Sequence, residues 1–175
     1  MSDKILVAYF SHIGDTYSLG MVKEGNTQIL AKHIANYLKA DQYHIVGDNK
    51  YPAKYMDIIK QAKTEMNNNF RPKLVNPLES IAQYDTIFIG YPIWYGDMPM
   101  AVYNFLESYN FSGKTVIPFC THGGSGLVST ERNIKATCQN SNVLQGLAIS
   151  GSTAQNNRAQ TDSSVASWLK KIGVM

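Results

Sequence analysis

Three short stretches of this 175-residue chain carry the donors, glycines and aromatics that chemistry at a bound ligand requires. The first pairs Ser11-His12 with Gly25-Asn26-Thr27, directly ahead of a helical pattern. Glycine and small polar residues at a helix N-terminus leave backbone N–H groups free, and with the helix dipole these attract a phosphate group. On its own, Asn26-Thr27 reads first as a helix cap. The second stretch is Gly90-Tyr91-Pro92-Ile93-Trp94-Tyr95-Gly96-Asp97. Trp94 or Tyr95 offers stacking area to a flat aromatic ligand, and Gly96 lets the backbone approach it. The third is Cys120-Thr121-His122-Gly123-Gly124-Ser125-Gly126, whose glycines free N–H donors for a ligand's polar edge while Thr121 and Ser125 add hydroxyls. Taken singly, His122 reads as a structural or solvent-facing histidine and Cys120 as a small core residue.

Other chemistries lack their parts. A phosphotyrosine-type phosphatase needs an arginine six residues after its cysteine, and after Cys120 that position is Gly126. His122-Gly123-Gly124 superficially suits an esterase oxyanion loop, yet the chain contains no G-x-S-x-G nucleophile elbow. Ser11-His12-Ile13-Gly14 is not the G-x-G-x-x-G of a dinucleotide-binding turn, and the acidic cluster of a receiver domain is missing there. His12, His33, His44 and His122 have no metal-ligand spacing, so no metal is expected.

The elements that must position these stretches alternate. Lys4 to Phe10 is an almost continuous apolar run, as in a strand buried on both faces. Leu30, Ile34, Tyr37 and Leu38 then fall at helical spacing, after an irregular long loop over residues 13–24 in which Gly14-Asp15-Thr16 competes as a phosphate turn. Tyr43 to Val46 reads as the second strand and Tyr55 to Met66 as the second helix. Thr86 to Ile89 reads as the third strand, followed by a helix with Pro99 in its first turn. Thr115 to Cys120 reads as a fourth strand, distorted at Pro118, which has no ladder hydrogen to give. A weak helix over Ser129 to Ala136, an apolar strand over Val143 to Ile149 and a final helix carrying Val165, Trp168, Leu169 and Ile172 complete five strand and helix pairs. This pattern predicts one α/β domain over residues 1–175: a three-layer, flavodoxin-like arrangement with a five-stranded parallel sheet in the order 2-1-3-4-5 and helices on both faces. Ligands of such sheets sit at the carboxyl ends of the strands, where the strand order reverses.

Composition agrees with a globular chain: 44% hydrophobic and 17% charged residues, and a formal charge of +3 whose basic residues are scattered rather than gathered into a nucleic-acid-binding stripe. Two cysteines do not make a disulfide framework, and no window suggests a signal peptide or membrane span, so a cytoplasmic location is expected.

Together Tyr9-Phe10-Ser11, Gly25-Asn26-Thr27, Tyr51-Pro52, Gly90 to Gly96, Thr121 to Gly126 and Trp168-Leu169 resemble the flavodoxin family along the whole chain, and most closely its bacterial members with a lengthened phosphate loop. The resemblance implies one non-covalent FMN, with its phosphate at Ser11, His12, Gly25, Asn26 and Thr27. The isoalloxazine would lie between the loop of Pro92, Ile93, Trp94, Tyr95, Gly96 and Asp97 and the loop of Thr121, His122, Gly123, Gly124, Ser125 and Gly126. It further implies a peptide at Tyr95-Gly96-Asp97 that rotates to accept a hydrogen bond from reduced flavin N5, with Gly96 making the rotation cheap. Single electrons would then pass through semiquinone and hydroquinone states to redox partner proteins, the chain acting as a monomer or weak dimer. Two departures stand out: the charge is positive where familiar flavodoxins are acidic, and His122-Gly123-Gly124 supplies no second aromatic, which leaves one ring face open. An FMN-dependent NAD(P)H:quinone-type oxidoreductase of the same fold is therefore an alternative. A non-redox protein-binding module without flavin is another.

Overall fold

The computed structural model describes residues 3–175. Its main strands are β1 (Ile5–Tyr9), β4 (Asp41–His44), β5 (Thr86–Pro92), β6 (Thr115–His122), β7 (Asn142–Val143) and β8 (Leu147–Ser150). They pair in parallel in the order β4-β1-β5-β6, with β7 and β8 both on the far edge of β6. Taking β7 and β8 as one strand in two pieces, this is the expected 2-1-3-4-5 sheet.

Side-chain alternation along the strands builds a core on each face. Leu6, Ala8 and Phe10 of β1 and its exit, with Ile87, Ile89 and Tyr91 of β5, point to one layer. That layer contains α2 (Tyr55–Asn67), α3 (Met100–Ser108) and α4 (Thr130–Thr137). Val7, Tyr9, Phe88, Ile117 and Phe119 point to the other layer, where α1 (Asn26–Leu38) and α6 (Arg158–Lys171) pack through Ile29, Leu30, Ile34, Val165, Trp168 and Leu169. Because both faces are covered, the inner strands β1, β5 and β6 need apolar residues at nearly every position, which is why they read as continuous runs, whereas the edge strand β4 buries only Tyr43.

Several sequence expectations are corrected. Residues 13–24 are not irregular: β2 (Gly14–Thr16) and β3 (Gly20–Val22) form a small antiparallel hairpin with Gly14 opposite Val22. Asn26 and Thr27 are the first residues inside α1 rather than its cap. Gly25 holds the N-cap position, and Ser11 Oγ reaches across from the β1 exit to accept the Gln28 N–H at 3.0 Å. The second strand begins two residues before the expected Tyr43.

Pro118 does not distort β6, which runs unbroken beside β5 with Ile89 opposite Pro118. Leu144 N–H donates to the Val116 carbonyl at 3.0 Å, so even-numbered residues of β6 address the neighbouring edge strand, and the missing Pro118 hydrogen falls on that side. The fifth strand is interrupted there, between Val143 and Leu147, and Gly146 N–H is taken by the Glu131 carboxylate. A short helix, α5 (Gly151–Asn156), follows β8 directly and was not expected. Ser150 Oγ caps it by accepting the Thr153 N–H at 3.1 Å.

No helix among the described residues is long and apolar enough to cross a membrane.

Candidate functional site

The carboxyl ends of β1, β5, β6 and β8 converge where the strand order reverses around β1 and β5, and a cleft of about 620 Å³, open mouth included, lies there. At one end it is lined by Ser18, Asn26, Thr27, Ser150, Gly151 and Ser152. The N–H groups of Asn26 and Thr27 lie in the first turn of α1, where no intrahelical acceptor exists, while the next two are taken by Ser11 Oγ and the Gly25 carbonyl. A buried hydrogen bond of 2.8 Å between Thr27 Oγ1 and Thr121 Oγ1 ties α1 to β6 and holds this end closed. Free N–H donors at the positive end of a thirteen-residue helix suit an oxyanion.

No lysine or arginine among the described residues lines the cleft. Its ionisable cations are His12 and His122, and burial lowers both pKa values from the ordinary histidine range, with the Asp15 carbonyl and carboxylate partly opposing this at His12. His12 Nε2–H donates to the Asp15 carbonyl at 3.1 Å, leaving Nδ1 for a ligand. His122 is held in the same tautomer by a different contact: its Nδ1 accepts Gly124 N–H at 2.9 Å, so Nε2 carries the hydrogen.

The other end opens between the β5 and β6 loops, lined by Tyr17, Tyr55, Ile93, Gly96, Gly123, Gly124 and Ser125. Trp94 N–H donates to the Asp97 carbonyl at 2.9 Å and Asp97 N–H returns to the Trp94 carbonyl at 3.2 Å. With φ of 51° at Tyr95 and 77° at Gly96, this is a two-residue type I′ hairpin turn. Rotating the Tyr95–Gly96 peptide converts type I′ to type II′, whose glycine-demanding first position is occupied by Tyr95.

Of the residues expected at the site, His12, Asn26, Thr27, Pro92, Ile93, Trp94, Thr121, His122 and Gly123 line the inner cleft, and Gly96, Gly124 and Ser125 its open end. Ser11, Gly25, Tyr95, Asp97 and Gly126 do not line it. Ser11 and Gly25 shape the α1 start from behind, where a Cβ on Gly25 would stand 2.0 Å from Ser11 Oγ. Tyr95 is exposed, with Lys63 Nζ 5.2 Å from its ring centroid. The Asp97 carboxylate accepts Tyr103 O–H and Met98 N–H and fixes the turn.

Trp94 is only 5% exposed and meets Phe10, Tyr51 and His12 edge-to-face, so it forms the floor of the cleft rather than a free stacking surface. Cys120 is fully buried in the core, and burial pushes its thiol up to about 12, which removes it as a nucleophile. Sequence reasoning missed Thr16, Tyr17, Ser18, Tyr55 and Ser150–Ser152. The hairpin and α5 that present most of them lack a legible period, and the only local signal for the last group was Ser-Gly-Ser at an apolar strand's end.

Comparison with known proteins agrees with the fold. The family model described as flavodoxin matches residues 4–172. No curated protein matches the chain. A protein of Bacteroides eggerthii assigned as a flavoprotein is 30% identical, with a TM-score of 0.78 over 99% of this chain and 100% of that one. Another assigned so, from Bacteroides uniformis, is 33% identical, with a TM-score of 0.74 over 97% and 99%. A flavoprotein of Lactobacillus acidophilus, solved in complex with FMN, shares the fold at 19% identity, with a TM-score of 0.64 over 90% and 99%.

Proposed function

The chain belongs to the flavodoxin family, and from that premise we propose that it binds one FMN without a covalent link and carries electrons between redox partner proteins. The observation that carries this reading is a cleft beside the unbonded N–H groups of Asn26 and Thr27 that adjoins, through the shared residues Tyr17, Tyr55, Ile93 and Gly123, an open pocket with Gly96 and Gly124 in its glycine-rich lining. The phosphate would be held by those amides with Ser18 and Ser152, and the ring by Ile93, Gly96, Gly123, Gly124 and Ser125. Bound there, the flavin supplies reversible one- and two-electron reduction.

The protein's own residues do the rest. The bond between Thr27 and Thr121 fixes α1 against β6 at the phosphate end, and His122 presents an N–H without needing a proton. The Asp97 contacts hold the turn at the ring's edge. Ile13, Met21 and Val128, all large apolar side chains left exposed on or beside the loops of the site, support transient docking of a partner protein.

The open mouth beside Gly124 and Ser125 supports a second reading, an FMN-dependent NAD(P)H:quinone-type oxidoreductase, since a small acceptor could enter there. One experiment separates them. Purified protein is titrated with FMN by calorimetry, and the complex is then reduced stepwise while its absorbance is recorded. It is finally assayed for NADH or NADPH consumption with a quinone. Two resolved one-electron steps without turnover are expected. Multiple turnovers per protein favour the oxidoreductase, and absence of FMN uptake by folded protein ends both.

A further inference from the structure

The β2–β3 hairpin stands in front of the cleft and is pinned at both sides. His12 donates to the Asp15 carbonyl, and the Asp15 carboxylate accepts the Tyr55 N–H at 2.7 Å, capping α2. Its tip carries Tyr17, whose ring centroid lies 5.8 Å from that of Tyr55 at an interplanar angle of 53°. The Tyr17 ring also lies directly against the backbone of Gly123, where an added Cβ would stand 2.3 Å from Tyr17 Cδ1. Only a residue without a side chain lets the ring rest there. Tyr17 thus bridges the hairpin to the loop after β6, and with Tyr55, Ile93 and Gly123 it lines both the closed and the open ends of the cleft.

We propose that Tyr17, lent by the hairpin, is the aromatic that covers the solvent side of the bound ring, and that Gly123 is required in order to seat it. The inference rests on the FMN reading. Neither aromatic of the β5 loop fills this role, because Trp94 is locked edge-to-face beneath the floor and Tyr95 faces Lys63. A flat ligand occupying the open end has to touch Tyr17, since Tyr17 forms its wall. The ring face that His122-Gly123-Gly124 leaves without an aromatic is thereby covered from a segment more than a hundred residues earlier. While Tyr17 is seated, a second planar molecule has no access to that face, so the hairpin tunes the balance between protein-to-protein electron transfer and reduction of small acceptors.

The test uses the full chain, FMN and three variants: Tyr17→Ala, Tyr17→Trp and Gly123→Val. Tyr17 is 54% exposed, so its replacement leaves the fold intact, which the melting temperature checks. Stacked phenols and indoles quench flavin emission, so two readouts are available: FMN dissociation, and the emission of the bound flavin. Tyr17→Ala is expected to weaken FMN binding roughly tenfold, mainly through faster release, and to brighten bound FMN. Tyr17→Trp is expected to restore both. Gly123→Val, which unseats the ring, is expected to behave like Tyr17→Ala. Tyr17→Ala with affinity within twofold of the parent and unchanged emission overturns the proposal, as does a loss that Tyr17→Trp leaves unrestored. Failure of the parent itself to take up FMN overturns the FMN reading instead, so the two failures are distinct.

Discussion

Gly25→Ala tests the phosphate end most directly. The new Cβ would stand 2.0 Å from Ser11 Oγ and 2.8 Å from the His12 carbonyl oxygen, where ordinary contacts begin at 3.4 Å. The hydroxyl can rotate away, but doing so gives up its bond to Gln28 N–H, a capping interaction worth about 1 kcal/mol. The carbonyl is backbone and cannot rotate, so the start of α1 must shift by roughly half an ångström, a strain of about 1–2 kcal/mol by analogy with overpacked cores. The combined loss of roughly 2–3 kcal/mol lowers the melting temperature by roughly 5–10 °C in a chain of this size.

The same shift moves the free N–H groups of Asn26 and Thr27 off their aim, and FMN affinity falls by about tenfold or more. Thermal unfolding by circular dichroism and a fluorescence titration with FMN read the two effects separately. Ser11→Ala alone removes only the cap, for about 1 kcal/mol. The double variant loses less stability than the two single changes together, because the clashing oxygen is gone. A Gly25→Ala protein that melts within 1 °C of the parent and binds FMN within twofold refutes this account of the helix start.

Stability also depends on pH through His12, His44 and His122, whose pKa values burial lowers. The unfolded chain binds protons near the ordinary histidine pKa that the folded protein refuses, so stability rises with pH up to about 6.5 and levels off above it. Urea midpoints measured between pH 5 and 7.5 check the slope, which a His44→Gln variant reduces. Cys120 and Cys138 are both buried, with thiols pushed up to about 12, so neither reacts with a thiol reagent at pH 8 until urea unfolds the chain. Rapid labelling of native protein contradicts this. The Glu65 carboxylate, 7% exposed, accepts from Asn49 Nδ2, Tyr51 O–H and Gln61 Nε2. Glu65→Ala removes the acceptor of Asn49 and of Tyr51, whose ring packs against Trp94, while Gln61 keeps the Lys50 carbonyl, so urea denaturation should show a loss of about 1–3 kcal/mol. A change below 0.5 kcal/mol would mean that water replaces the carboxylate freely.

Much of the architecture was readable from local pattern. Strands buried on both faces need unbroken apolar runs, and crossover helices need a stripe at helical spacing, so Ile5 to Tyr9, Thr86 to Ile89 and the stripe of Leu30 and Ile34 announced a parallel sheet. Their sequence order left few ways to wind it. The same pattern located the loops of the site, since ligands gather at strand ends where the order reverses.

What it did not encode was the direction in which each loop residue points. Trp94 turns inward because Phe10, Tyr51 and His12, from three other places in the chain, build a pocket for its edge. Asn26 and Thr27 expose free amides because the capping oxygen comes from Ser11, seventeen residues before Gln28. The hairpin of residues 14–22 has strands too short to show a period, and the fifth strand breaks where its neighbour β6 presents Pro118, which has no ladder hydrogen to give. Periodicity reports burial along one segment. Which groups face a ligand is decided by contacts between segments far apart in the chain, such as Thr27 with Thr121 and Tyr17 with Gly123, and those exist only once the sheet has formed.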